Sequence, residues 1–180
     1  MTTADWALVI SILSAGVSSL ALGWNVWSKF IYPKPVLAVS FSIMNIYDEG
    51  GTSDPFFNLT ITNHGPIQAT VTHSYARCRR GWLARSSLGL INPLSHFPHD
   101  LKSTQGPFSG GLPKKLDVGE EFALKYWYGK NWIDEKPTAI GVRDSFGRVH
   151  WCGRRDVREA QKHYDKDKAA GILPVDEPRR

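Results

Sequence analysis

The sequence predicts a mainly β protein: an antiparallel β-sandwich, preceded by a single N-terminal transmembrane helix and followed by a short C-terminal helix. Three observations predict it. Residues 6–28 carry no charged side chain. Short alternations of apolar and polar residues then recur between residues 36 and 152, bounded by Gly, Pro, Asn or Asp. A highly charged helical pattern closes the chain. The expected organisation is an anchor and flank (1–34), a sandwich domain (35–153), and a C-terminal helix with a mobile tail (154–180).

A helix over residues 6–28 spans about 35 Å, enough to cross a bilayer core. Trp6 lies at one end and Trp24 and Trp27 at the other, where indoles meet the two headgroup layers. Lys29 and Lys34 follow the run, whereas Asp5 precedes it without a Lys or Arg. This bias places the residues after the helix in the cytoplasm, on a single-pass protein of the cell inner membrane. A cleaved signal peptide would need a basic start and a shorter apolar core. A buried core helix is disfavoured because the run is apolar on every face and ends in aromatics and prolines. Ser11, Ala15, Ser19 and Gly23 recur four apart, so one face of the helix is small. Such a face lets a second helix approach closely, in a homo-oligomer or beside another membrane protein.

Residues 36–47 alternate, with Leu37, Val39, Phe41, Ile43 and Tyr47 on one side. Residues 48–55 form a turn-rich loop. Phe57, Leu59 and Ile61 alternate with Asn58, Thr60 and Thr62, and Asn63-His64-Gly65-Pro66 reads as a tight connection to a strand over 67–77. These two strands are expected to form a hairpin. A strand is expected near 87–91, then a long surface loop over 93–111. Phe122, Leu124 and Tyr126 mark a further strand, and residues 138–143 and 149–152 flank a hairpin turn at 144–148. Asp156 and Glu159 have the spacing of a capping box, opening a helix that stops at Gly171. The expected core includes Leu59, Ile61, Val71, Phe122, Leu124 and Trp151.

Asn58-Leu-Thr-Ile-Thr-Asn-His-Gly-Pro66 and Leu116-Asp-Val-Gly-Glu-Glu121 resemble segments of the Ig-like modules of bacterial envelope proteins. The whole layout is similar to that of small bacterial membrane-anchored proteins with one N-terminal transmembrane helix and an Ig-like β-sandwich. In them a Pro-x-Pro-initiated strand follows the helix and a hairpin like Asp144 to Trp151 comes late. The resemblance implies an Ig-like architecture. It implies no activity, because such sandwiches host many unrelated roles.

With the anchor removed, the rest is large enough to bury a core without metals or disulfides. The net charge is +5, mildly basic. That suits an anionic membrane surface and is too weak to argue for nucleic acid, for which no recognition module is present, so no nucleic-acid partner is expected. Arg77, Arg79, Arg80, Arg154 and Arg155 are the candidate contacts to lipid headgroups, each contributing about 1 kcal/mol near an anionic leaflet. Arg85, Arg148 and Arg158 lie in the same two clusters. His73, Cys78, His150 and Cys152 lack the spacing of a zinc set. Asp144, Ser145 and His150 are close in sequence, but Asp and Ser are also ordinary turn formers. No catalytic, metal or cofactor residue is therefore assigned. The expected function is a membrane-anchored binding or scaffold module, accessory to a protein partner or complex. The alternative is a membrane-associated enzyme whose site draws on remote His, Asp and Cys residues.

Overall fold

A computed structural model of the chain describes residues 2–28, 35–48, 51–52, 54–79, 86–96, 100–104, 106–129 and 132–173. Two compact units result, Met1–Lys34 and Pro35–Arg180.

The first unit is helix α1, Thr3–Val26. Thr2 caps it: its hydroxyl accepts from Asp5 N–H, and the Asp5 carboxylate accepts from Thr2 N–H at 2.7 Å. Asp5, a flanking charge in the sequence pattern, is thus also half of a reciprocal cap. No residue of α1 is buried. Its length and composition suffice to cross a membrane. Three of its polar side chains turn back on its own backbone. Ser11 and Ser19 donate to Ala7 O and Ala15 O, both at 2.8 Å, and Asn25 donates to Ala21 O. Such bonds lower the cost of placing a hydroxyl or amide in hydrocarbon. Lys29 and Lys34 lie outside the described residues.

The second unit contains two antiparallel sheets. β1 (Leu37–Met44), β4 (Phe56–Asn63) and β10 (Glu121–Trp127) form one, in the order β1-β4-β10. β12 (Val149–Trp151), β11 (Ala139–Asp144), β5 (Ala69–Cys78) and β6 (Ser87–Leu90) form the other in that order, with β9 (Lys114–Leu116) also paired to β5. Among the described residues two ribbons complete the strands: β2 (Tyr47–Asp48) with β3 (Gly51–Thr52), and β7 (Leu94–His96) with β8 (Asp100–Thr104). The segments read as loops over 48–55 and 93–111 thus carry short paired strands. Helix α2, Arg154–Ala169, follows β12.

The expected hairpin between residues 56–63 and the next strand does not form. β4 pairs with β1 and β10, while β5 pairs with β11, β6 and β9, so the chain changes sheet between residues 63 and 69. Asn63 explains the crossing. It is fully buried, its Nδ2 donates to Ile67 O at 2.8 Å and Leu116 O at 3.2 Å, and its Oδ1 accepts from Gly65 N–H. A hairpin would leave that amide unmatched. The passage from β9 to β10 also changes sheet, and it leans on the same residue: Gly119 N–H donates to Asn63 O at 2.7 Å. Gly119 has φ +80, a conformation that favours glycine.

One hydrophobic cluster joins both sheets and α2. Leu59, Ile61 and Val71 are at 0% exposure and Leu124 at 1%. Leu59 lies opposite both Phe41 and Leu124, at the middle of its sheet. Phe122 and Trp151, expected in the core, are half-buried; Phe122 packs at the edge of the cluster, and Trp151 lies under an arginine. Gly141 faces Trp151 across the β11–β12 ladder, where an added Cβ would stand 2.2 Å from His150 O. No larger residue fits that approach.

Helix α2 docks through Val157, Ala160 and Tyr164, the narrow stripe its sequence offers. The Tyr164 ring meets Tyr128 edge-on at 5.6 Å, and Tyr128 meets Phe57 at 4.8 Å. Such pairs add about 0.5–1.5 kcal/mol beyond burial. Tyr164 Oη donates to Gly129 O or to Asp134, and Tyr128 Oη donates to Asp167. The expected capping box at Asp156 is absent. The helix starts three residues earlier, after Gly153, which has no side chain to cap with, and Glu159 bonds Arg155 instead. The helix ends as expected at Gly171, φ +71. The tail from residue 174 lies outside the described residues.

Replacing Asn63 tests this account of the crossing. Asn63→Ala leaves Ile67 O, Leu116 O and Gly65 N–H without their partner, and should lower stability by about 3 kcal/mol or more. Asn63→Asp keeps the shape but loses both donors and should destabilise comparably. Urea unfolding followed by tryptophan fluorescence reads both.

Candidate functional site

Two recesses flank α2, and their charges differ in sign. The helix pattern makes them. Arg154, Arg158 and Gln161 fall on one flank of the buried stripe; Asp156, Glu159, His163 and Asp167 fall on the other.

The first recess, about 640 Å³, is lined by Arg77, Arg79, Lys136, Arg154 and Arg158. Among the described residues no carboxylate lines it. Arg77 comes from β5, opposite Ala139 of β11. Its guanidinium lies over the Trp151 ring at 4.1 Å. The two belong to strands on either side of β11, where Ala139 and Gly141 are small enough for the Arg77 stem to cross. Stacking occupies the guanidinium's face and leaves its edge N–H groups to an acceptor. Lys136 follows a short 3-10 helix, Trp132–Glu135, and has φ +51. That conformation costs a lysine on the order of 1–2 kcal/mol. It is held by Lys136 N–H donating to Ile133 O, with Gln161 fixing the next residue through Pro137 O at 2.8 Å. Arg154, Arg158 and Lys136 form no ion pair among the described residues. Cys152 and Val157, both buried, form part of the wall. Burial pushes the Cys152 thiol up to about 11.

The structure therefore brings together three of the expected lipid contacts, Arg77, Arg79 and Arg154. Arg155 does not join them. It sits about 100° further round the helix, is 87% exposed, and pairs with Glu159 at 2.7 Å. That pairing raises its own affinity for a proton and holds Glu159 below the usual carboxylate range. Arg80 and Arg85 lie outside the described residues. Lys136 was missed because nothing near it in sequence marks a basic cluster. Arg158 was not chosen, although its spacing of four from Arg154 places both on one helix face.

The second recess, about 700 Å³, lies between β1 and α2, with Asp156, Glu159, His163 and Asp167 on its wall. Asp167 accepts from Tyr128 Oη at 2.8 Å, so it orders the docked helix. Burial, with the Asp167 contact added to it, pushes the Tyr128 phenol up.

Asp144, buried, accepts from Phe146 N–H and Arg148 N–H through Oδ1 and meets His150 Nε2 at 2.9 Å through Oδ2. It pins the β11–β12 turn. Ser145 is exposed, and its hydroxyl makes no hydrogen bond with His150 among the described residues. His73 meets Phe108 edge-on at 4.8 Å. Cys78 and Cys152 are buried and free of any disulfide. Among the described residues no group of three or more His, Cys, Asp or Glu side chains is placed to hold a metal.

None of the protein-family models, curated proteins or solved structures compared with the chain matches it.

The Cys152 thiol gives a check on the wall of the cationic recess. A folded-state value above the unfolded one stabilises the protein below the unfolded value, and that contribution disappears as pH rises through the folded one. The thiolate absorbance of Cys152, read as the difference between native protein and Cys152→Ala, should develop around pH 11 rather than near 9.

Proposed function

We propose that the chain is a single-pass membrane protein whose second unit is an Ig-like β-sandwich acting as a binding or scaffold module, accessory to a protein partner or complex. One observation carries the reading: a 24-residue apolar helix with no buried side chain precedes a separately packed unit with its own core. Isolated in water, such a helix would expose Trp6, Trp24 and a row of Leu, Ile and Val side chains; lipid removes that cost. Two antiparallel sheets sharing one core support the sandwich. The β6 edge exposes Leu88 and Leu90 and is a strand a partner could extend.

In this reading the membrane is the bacterial inner membrane, and the sandwich lies in the cytoplasm. The full chain should stay in the membrane pellet through alkaline carbonate and leave it only with detergent. Removal of residues 1–34 should release a soluble folded unit. A reporter fused after Arg180 should be active only in the cytoplasm. Release by carbonate alone would contradict the anchor, and a periplasmically active reporter would contradict the orientation.

The small face of α1, Ser11, Ala15, Ser19 and Gly23, is the proposed helix-helix contact. Ser11 and Ser19 already bond their own helix, so closeness of backbones rather than polar glue would hold the pair. Ala15→Leu with Gly23→Leu should leave insertion intact and abolish self-association in detergent, read by chemical crosslinking. Oligomers that persist would leave this face to lipid.

A further inference from the structure

The cationic recess beside α2 has the chemistry of a site for a particular ligand class. Four cationic side chains that form no ion pair among the described residues converge on it from three parts of the fold: Arg77 of β5, Lys136 after the 3-10 helix, and Arg154 and Arg158 of α2. Bringing like charges together is unfavourable unless something of opposite charge completes the set. Among the described residues that line the recess, none supplies a negative charge. The recess is concave, with buried Pro137, Ala139, Cys152 and Val157 in its wall, and such a wall concentrates the field of the exposed charges around it.

The donors narrow the ligand. Guanidinium groups present paired N–H bonds that match the oxygens of a phosphate. Arg77 is oriented for this by its stack on Trp151, and Lys136 is held in an unusual backbone conformation at the same recess. More than one negative charge is needed to balance such a set, which disfavours a lone carboxylate. At about 640 Å³ the recess exceeds a bare phosphate ion, so the rest of a larger molecule can enter beside Trp151 and the apolar wall.

We propose that this recess binds a terminal phosphate group, one bearing more than one negative charge rather than a phosphodiester, carried either by a lipid headgroup or by a soluble phosphorylated molecule. This sharpens the lipid-contact reading of Arg77, Arg79 and Arg154, and it does not depend on α1 crossing the membrane. A failure of the anchor appears in fractionation, and a failure of this site appears only in binding.

The test uses the full chain in phosphatidylcholine nanodiscs, with tryptophan indole 15N labelled and the Trp151 resonance assigned by Trp151→Phe. Pyrophosphate is titrated into neutral discs, and discs containing phosphatidic acid are compared with discs containing phosphatidylglycerol at equal surface charge. A saturable shift of the Trp151 resonance with pyrophosphate supports the site and a soluble source. A shift in phosphatidic acid discs alone supports it with a lipid source. Arg154→Gln with Arg158→Gln, both on the exposed side of α2, should weaken either response about tenfold or more, as loss of charge-assisted bonds requires. Arg155→Gln, outside the recess, should leave the response unchanged. Unchanged spectra of the other indoles show that each variant is folded. The proposal is overturned if neither probe moves Trp151, if phosphatidylglycerol acts as strongly as phosphatidic acid, or if Arg155→Gln weakens binding as much as the double variant.

Discussion

One buried amide organises the second unit. Two sheets can share a core only if the chain passes between them, and each passage strands backbone polar groups away from both ladders. Asn63 answers this at two passages together. Its side chain satisfies Ile67 O, Leu116 O and Gly65 N–H, and its own carbonyl receives Gly119 N–H. Two of its contacts belong to the crossing from β4 to β5, and the others to the approach from β9 to β10. The neighbouring turn is braced by Glu120, whose carboxylate receives Asp117 N–H and meets Lys114; both hold it below the usual carboxylate range. With both crossings fixed, Leu59, Ile61 and Val71 meet in one cluster.

Helix α2 then closes that cluster, and its docking decides where charge collects. Val157, Ala160 and Tyr164 are the whole of its apolar stripe. Because the stripe is narrow, the charged residues on either side of it line the two neighbouring recesses while staying largely exposed. The tyrosine contacts are directional: the Tyr164–Tyr128–Phe57 chain fixes the helix's rotation, and a different rotation would mix the two charge sets. Packing of three residues thus sets the electrostatics on both sides.

The strands were legible in the sequence because alternation is local. Phe57, Leu59 and Ile61 sit where their period places them, as do Leu124 and Tyr126. Pairing was less legible. Asn63-His64-Gly65-Pro66 has a turn's composition, and only the partners of the Asn63 amide distinguish a crossing from a hairpin; those partners lie as far away as Leu116. Phe122 and Trp151 show a different limit. Each belongs to a strand, but one packs at the border of the core and the other serves as a platform for Arg77. The cationic recess was half legible: the two arginine clusters were visible, but Lys136 joins them only through the fold, and Arg155, next to Arg154 in sequence, turns away from the recess.

The opposed recesses have a consequence for encounters. A body with positive charge on one flank of a helix and negative charge on the other carries a transverse dipole. Within a Debye length of a charged surface, about 8 Å at physiological ionic strength, such a body feels a torque as well as an attraction. Approach to an anionic surface would turn the Arg154 and Arg158 flank inward and leave Asp156, Glu159 and Asp167 facing away. The docked helix therefore works as a compass needle, giving the unit a preferred heading before any contact is made.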